Sequence, residues 1–288
     1  MPGPTAKDKI YNVPYLGFGI GLRPEFYADF IEKSPPVDWL EIISENYLME
    51  GTRSNKFLDQ IRERYPVVAH GVSLSIGSSD KLDWDYLKRL KTFLTRINSP
   101  WFSDHLCWTH HNHKQMHNLL PLPYTSETAS YVAERIRIVM DFMQRPFIIE
   151  NLSSYIEFTD STMTEWEFLN EISEQANCGI LLDINNIFVS GTNHHYDPMT
   201  YLNAIPPKRV IQYHIAGHQD KGTFLFDSHD HDICKQVWEL YANVVERFGQ
   251  TSLMIERDDH IPPLSELLAE LATARRIHQE THSHAKLP

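Results

Sequence analysis

The chain has 288 residues, 42% hydrophobic and 22% charged, an ordinary globular composition that excludes disorder and a coiled coil. Its 38 acidic and 26 basic residues leave a net charge of −12 without a basic run, which argues against nucleic-acid binding as the main role. No apolar run reaches the ~18–20 residues of a membrane span, and the amino-terminal MPGPTAKDKIYNVPY lacks the apolar stretch of a signal peptide, so a cytoplasmic protein without a membrane partner is expected.

Short β-rich apolar runs alternate with longer stretches of helical periodicity along the chain. Strands are predicted at 15–20, 39–43, 67–70, 101–106, 147–150, 179–184, 210–215 and 252–256. Between them, helices are predicted over 24–33, 55–64, 83–96, 126–143, 163–176, 198–204, 233–248 and 264–278. The third is marked by Trp84, Leu87, Leu90 and Leu94, the fourth by Val132, Ile136, Val139 and Met143. Thr125 and Ser126 give a start signal, as does Pro198 in a first turn. Eight strands, each followed by a helix, imply parallel pairing with right-handed crossovers. The fold class expected is therefore α/β, a closed (βα)8 TIM barrel, with an open doubly wound sheet as the alternative. No linker or break in composition divides the chain, so one domain over 1–288 is expected, with its core at about 15–278 and a frayed last ten residues. The His-rich stretch 110–117 reads as a solvated loop ahead of the prolines at 121 and 123. The run Gly17-Phe18-Gly19-Ile20-Gly21 is not a dinucleotide loop: it lies within a strand and lacks the acidic partner, so close backbone packing is expected there.

Chemistry in a barrel gathers where strands hand over to the loops that follow them. At those positions the sequence places Glu45, His70, Asp104-His105, Glu150-Asn151, Asp183 with Asn185 and Asn186, and His214 with His218. The loop 227–231 adds Asp227, His229 and His231, and the last strand ends at Glu256-Arg257-Asp258-Asp259. A lone residue such as His70 reads as readily as a packed, hydrogen-bonded side chain. Several carboxylates in one mouth are another matter, because they raise each other's pKa severely unless cations intervene. Three or four carboxylates with four imidazoles exceed the needs of one tetrahedral zinc, so two or three divalent metal ions are expected. The cysteines Cys107, Cys178 and Cys234 are sparse and form no CxxC pair, which reads as reduced thiols.

Several separated motifs carry a family resemblance: SENY at 44–47, AHGVSLSIGS at 69–78, SDHL at 103–106, LLPLPYTSE at 119–127, IENLS at 149–153, LLDINN at 181–186, HIAGH at 214–218, DSHDH at 227–231 and IERDDHIPP at 255–263. Over about residues 15–275 the chain resembles the multinuclear non-haem iron-dependent oxidases, one of which acts in making methanobactin. That family is similar in turn to the xylose-isomerase-like barrels. The resemblance implies two to three iron ions, Fe2+ or Fe3+, with zinc or manganese as ions found on isolation. His70, His105 and Glu150 would hold the first ion. Glu150 would bridge to a second ion held by Asp183, His214 and Glu256, and a third would take Asn186, Asp227 and His229. Relatives of the endonuclease IV type carry His where Asn186 stands, and an amide is the poorer ligand, which fits a labile third site. The implied reaction is oxidation by O2 of cysteine in a ribosomally made precursor peptide, with a separate partner protein presenting the leader segment. Asp258 and Asp259 are candidates for orienting ligands or accepting a proton, and Arg23 for meeting the peptide. The alternatives are a zinc or manganese hydrolase or isomerase on the same barrel and a metal-storage protein.

Overall fold

The apolar runs form the wall of a closed, all-parallel barrel in the computed structural model, which describes residues 9–112 and 114–284. The first half runs β1 (Phe18–Gly21), α1 (Tyr27–Glu32), β2 (Trp39–Ile43), α2 (Arg53–Ile61), β3 (Val67–Gly71), α3 (Trp84–Ile97) and β4 (Phe102–His105). An antiparallel hairpin of β5 (Trp108–His111) and β6 (Lys114–Leu120) comes next, then α4 (Ser126–Met143), β7 (Phe147–Glu150), α5 (Glu165–Ala176) and β8 (Gly179–Asp183). The chain continues through α6 (Ile184–Asn193), α7 (Pro198–Ala204) and β9 (Val210–Ile215) to a small ladder of β10 (Gln219–Asp220) and β11 (Leu225–Phe226). It ends with α8 (Lys235–Phe248), β12 (Ser252–Ile255) and α9 (Leu264–His284). Around the barrel the order is β1-β12-β9-β8-β7-β4-β3-β2, with every wall pair parallel. This is the (βα)8 barrel expected from the alternation, and the open sheet is excluded.

Local chemistry sets the boundaries. Asp83 caps α3 by accepting from the backbone N–H groups of Asp85 and Tyr86, and Thr125 caps α4 through Thr128. Thr164 and Glu167 form a reciprocal capping box, so α5 opens at Glu165 and not at Met163. Three helices close on a left-handed residue, at Asn98, Gln144 and Asn177. Gly19 is required by packing, since a Cβ there would lie 2.6 Å from the Trp39 ring.

Three expectations need correction. The stretch 108–120 is a hairpin and not a loop, tied down by Thr109 N–H donating to Ser75 Oγ (2.8 Å) and the Trp108 indole donating to the Pro121 carbonyl (2.9 Å); His113 lies outside the described residues. The sixth predicted strand, 179–184, is β8 and stops at Asp183, whose Oδ1 accepts from Asn186 N–H (2.6 Å) and so starts α6, a helix the sequence reading lacks. The last helix does not fray at 278 but runs to His284.

Along each wall strand, side chains two residues apart face the barrel interior together. The lower interior layer is apolar: Trp39, Val68, Trp101, Ile148, Leu181, Ile211 and Met254 cluster there. Ile10, Tyr11, Val13 and Leu16 pack beneath as a floor. Trp39 and Trp101 meet edge to face at 6.3 Å. The floor segment is pinned by Ile10 N–H to the Lys208 carbonyl (3.0 Å), Leu16 N–H to Ser252 Oγ (2.9 Å), and Lys9 Nζ to the Phe248 carbonyl (3.2 Å). Two residues further along most of these strands the interior turns polar, with Glu41, His70, Glu150, Asp183 and Glu256. Among the described residues no helix is long and apolar enough to cross a membrane.

Candidate metal centre

β3, β4 and β7 end side by side, and their last interior residues form a first group. His70 Nε2 and His105 Nε2 each lie 3.3 Å from Glu150 Oε2 and 3.4 Å from each other. The far nitrogens are anchored: His105 Nδ1 donates to the Gly71 carbonyl (3.1 Å), and His70 Nδ1 sits 2.8 Å from Ser103 Oγ. The His105 anchor puts its proton on Nδ1 and leaves a lone pair on Nε2. Burial, then the neighbouring His105 and His214, holds the His70 pKa well below the ordinary value, so its ring is neutral as a metal ligand must be. Asp104 is spent on the backbone, accepting from Leu74 N–H (3.0 Å) and His105 N–H (2.7 Å).

The second group takes Glu150 again, with Asp183, His214 and Glu256, all four buried. His214 Nδ1 lies 3.2 Å from Glu150 Oε1 and 3.1 Å from Glu256 Oε2. Its Nε2 is 2.8 Å from Glu41 Oε1. Glu41 is held in turn by Gln212 Nε2 (2.5 Å), and Gln212 Oε1 accepts the Trp101 indole N–H (2.7 Å). Burial pushes Glu150 up to about 7 and Asp183 up to about 8. Burial works against the charge on His214 as well, yet Glu41, Glu256 and Glu150 hold its pKa well above the ordinary value. Burial likewise opposes ionisation of Glu256, but the imidazoles of His214 and His229 hold its pKa well below the usual carboxylate range.

Among the described residues, Asp183 Oδ2 and Asn186 Oδ1 are buried in this mouth with no protein partner, while Glu150 Oε2, His214 Nδ1 and His229 Nε2 make no well-formed hydrogen bond and meet only the charged groups of the mouth itself. Each such atom costs roughly 1–3 kcal/mol when left unsatisfied. Within each group the candidate ligand atoms lie within 4.8 Å of one another, so a divalent cation fits both donor chemistry and spacing. Asp183 shows the division of labour: one oxygen caps α6, the other has no protein partner.

A third group brings His229, Glu256 and Asp258 together. His229 Nδ1 lies 3.2 Å from Glu256 and 3.3 Å from Asp258, while its Nε2 meets Asp227 Oδ1 at 2.6 Å. Asp227 is also held by Ser153 Oγ (2.9 Å) and Asn185 Nδ2 (2.8 Å), and Asn185 is fixed by His218 Nδ1 (2.7 Å). Asn186 is buried and gives its Nδ2 to the Asn151 carbonyl (3.1 Å). Arg23 reaches the mouth from β1, donating to the Arg257 carbonyl (2.8 Å) and pairing with Asp258 (2.5 Å). Asp259 is not brought in: like Asp258 it is exposed, but its carboxylate accepts from His260 N–H (2.7 Å) and belongs to none of the three groups. The sequence reading overlooked Glu41, Ser103 and Gln212; the signal for the first two was a polar residue two positions after the interior Trp39 and Trp101, whereas Gln212 directly follows the interior Ile211, beside a register shift in the β8–β9 pair, and gave no such signal.

A sequence profile of the family described as RiPP precursor modification enzyme MbnB/TglH/ChrH matches residues 17–279. A UPF0276 protein of Anaeromyxobacter sp. strain Fw109-5 is 49% identical over 262 residues, covering 91% of this chain and 93% of that one. A UPF0276 protein of Caulobacter vibrioides strain NA1000 is 48% identical, with 91% and 94% covered. Among solved structures, a D-tagatose 3-epimerase-like protein superposes with a TM-score of 0.60 at 16% identity, covering 92% and 98% of the two chains. IolI with a bound zinc atom gives 0.58 at 13%, covering 93% and 98%. Endonuclease IV from Thermus thermophilus gives 0.57 at 14%, covering 93% and 99%. At these identities the likeness shows the closed (βα)8 barrel fold alone.

Proposed function

The chain belongs to the MbnB/TglH/ChrH family of RiPP precursor modification enzymes, and from that premise we propose that it is a multinuclear iron-dependent oxidase acting on cysteine of a ribosomally made precursor peptide. The observation that carries the reading is the convergence of two groups on the shared carboxylate of Glu150, with a buried Asp183 oxygen left without a protein partner in the second. His70, His105 and Glu150 hold one iron in this proposal, and Glu150, Asp183, His214 and Glu256 a second. The weaker third position draws on His229 with Asp227, Asn186 or Asp258. Bound iron supplies a Lewis acid for the cysteine thiolate and electrons for O2.

The protein's own residues do the rest. Glu41 fixes the His214 ring so that Nδ1 faces the group. Arg23, aligned by the Arg257 carbonyl, holds Asp258 beside His229, and the Asp258 carboxylate is the proton acceptor at the rim. Tyr155, Phe224 and Phe226 form an exposed aromatic rim, with Tyr155 OH accepting from Asp227 N–H (2.8 Å); this rim supports docking of a peptide. Presentation of the leader segment falls to a separate partner protein, and the reaction runs in the cytoplasm.

Metal analysis after anaerobic purification, followed by mass spectrometry of a cysteine-containing precursor exposed to O2 with its partner, tests the reading. Two or more irons per chain and an O2-dependent mass change are expected. An iron-filled protein that leaves the cysteine unchanged overturns it. Zinc on isolation with cleavage of abasic DNA points instead to the hydrolase chemistry.

A further inference from the structure

Beside the mouth lies a cavity of about 340 Å³ that the chemistry above does not use. The segment 151–158 separates the two: Ser153 hydrogen-bonds Asp227 on the mouth side, while the neighbouring Ser154 lines the cavity, with its Oγ 2.9 Å from His194 Nε2. Tyr124, Trp166 and Tyr196 form aromatic walls, Trp166 and Tyr196 meeting at 5.3 Å and 69°. Tyr201 stands behind them, 5.6 Å from Trp166.

Into this aromatic box the first residue of α5 sets a carboxylate. Glu165 Oε1 accepts from Tyr201 OH (3.1 Å), and among the described residues no lysine or arginine pairs with it. Burial pushes the Glu165 carboxyl up to about 8. A second carboxylate, the exposed Glu157, also lines the cavity, and its one ion pair among the described residues is with His194, at 3.7 Å. The Tyr196 hydroxyl is buried without a partner. An apolar ligand would leave Glu165 and that hydroxyl unsatisfied, and an anion would meet two carboxylates. A cation satisfies all of them: aromatic faces attract it, the hydroxyl accepts from it, and Glu165 neutralises it. The positive end of the α5 dipole stabilises the Glu165 anion once the cation has displaced its proton.

We propose that this cavity is a subsite for an alkylammonium or guanidinium group, the lysine or arginine side chain of the peptide that reaches the metal centre. Glu165 is the counter-ion and Tyr124, Trp166 and Tyr196 the cage. The source of the cation rests on the peptide-modifying reading; its chemistry rests on the cavity alone.

The test titrates n-butylammonium, n-butylguanidinium and the neutral 1-pentanol into the metal-loaded protein, followed by tryptophan fluorescence and calorimetry. Both cations are expected to saturate, with pentanol at least tenfold weaker. Glu165→Gln is expected to weaken butylammonium at least tenfold, and Tyr196→Phe a few-fold. Should Glu165→Gln fail to fold, Tyr124→Leu and the ammonium-to-alcohol ratio in the unsubstituted protein decide. Equal binding of alcohol and ammonium, absence of saturation, or indifference to substitution of the cage overturns the proposal. A lysine-containing hexapeptide should displace butylammonium where its norleucine counterpart does not; displacement by both assigns the site to something other than the side chain and overturns its peptide source. Because none of these readouts needs turnover, ammonium binding without peptide oxidation leaves the subsite standing and removes the oxidase, and oxidation without ammonium binding does the reverse.

Discussion

The two ends of the barrel interior are built from the same strands and differ in almost every physical respect. At the lower end Trp39, Val68, Trp101, Ile148, Leu181 and Met254 interdigitate over a floor of Ile10, Tyr11, Val13 and Leu16. Two residues later on the same strands stand Glu41, His70, Glu150, Asp183 and Glu256, buried equally well but with oxygens of Glu150 and Asp183 left without a well-formed hydrogen bond. Burial is therefore not what separates core from site; satisfaction is. The lower layer gains by exclusion of water, the upper layer bears a desolvation cost that only cations relieve.

Substitutions at the two ends should separate these regimes. The largest effect is expected for Glu150→Gln, since both groups share that carboxylate: metal affinity at both positions should fall more than about 100-fold in a competitive chelator titration, beyond the roughly 10–100-fold of supporting residues. Metal-stripped protein should show the opposite sign. Glu150 titrates near 7 in the fold against an ordinary 4.5, so the folded state binds more protons between those values and stability falls as pH rises across them. Urea unfolding of the stripped Glu150→Gln protein should lack that part of the decline, worth at most about 3 kcal/mol. If the substitution destabilises stripped protein at pH 8, crowded carboxylates are not what the upper layer suffers from.

Trp39→Ala is next, expected to cost about 3–5 kcal/mol in urea unfolding while the folded fraction keeps its metal content. Loss of metal in step with Trp39 would mean the two layers are not separable. Glu41→Gln should weaken the cation at the His214 group by about 10–100-fold and leave the His70 and His105 group nearly unchanged; equal losses at both would remove Glu41 from its positioning role. The smallest change is Tyr11→Phe, which deletes the hydroxyl bonded to the Asn177 (3.0 Å) and Phe147 (3.3 Å) carbonyls. It should cost about 1 kcal/mol with no effect on metal, read by thermal unfolding.

Much of this was legible from alternation and strand ends. The spans 39–43, 147–150 and 210–215 coincide with β2, β7 and β9, because an apolar run buried on both faces leaves little freedom in its limits. His70, His105, Glu150, Asp183, His214 and Glu256 stood out because a charge closing an apolar run has few structural excuses. Glu41 did not, since it sits inside WLEII and not at its end; only the closed barrel shows that it points at His214. The hairpin at 108–120 escaped because its anchors are loop residues, Ser75 and Pro121, remote in sequence from any period. Asp259 looked equivalent to Asp258, yet both are exposed and only Asp258 reaches Arg23 and His229, while the Asp259 carboxylate turns back onto His260 N–H.

The floor under the barrel carries a consequence for biosynthesis. Its residues are made well before their anchors at Lys208, Phe248 and Ser252, which follow about 200 residues or more later in the chain. The underside of Trp39 and Trp101 thus stays wet until those later segments emerge, and the ring closes only once β12 has been made. A chain that stops short of β12 leaves that indole pair open to water, the kind of exposed apolar surface from which partly folded chains aggregate.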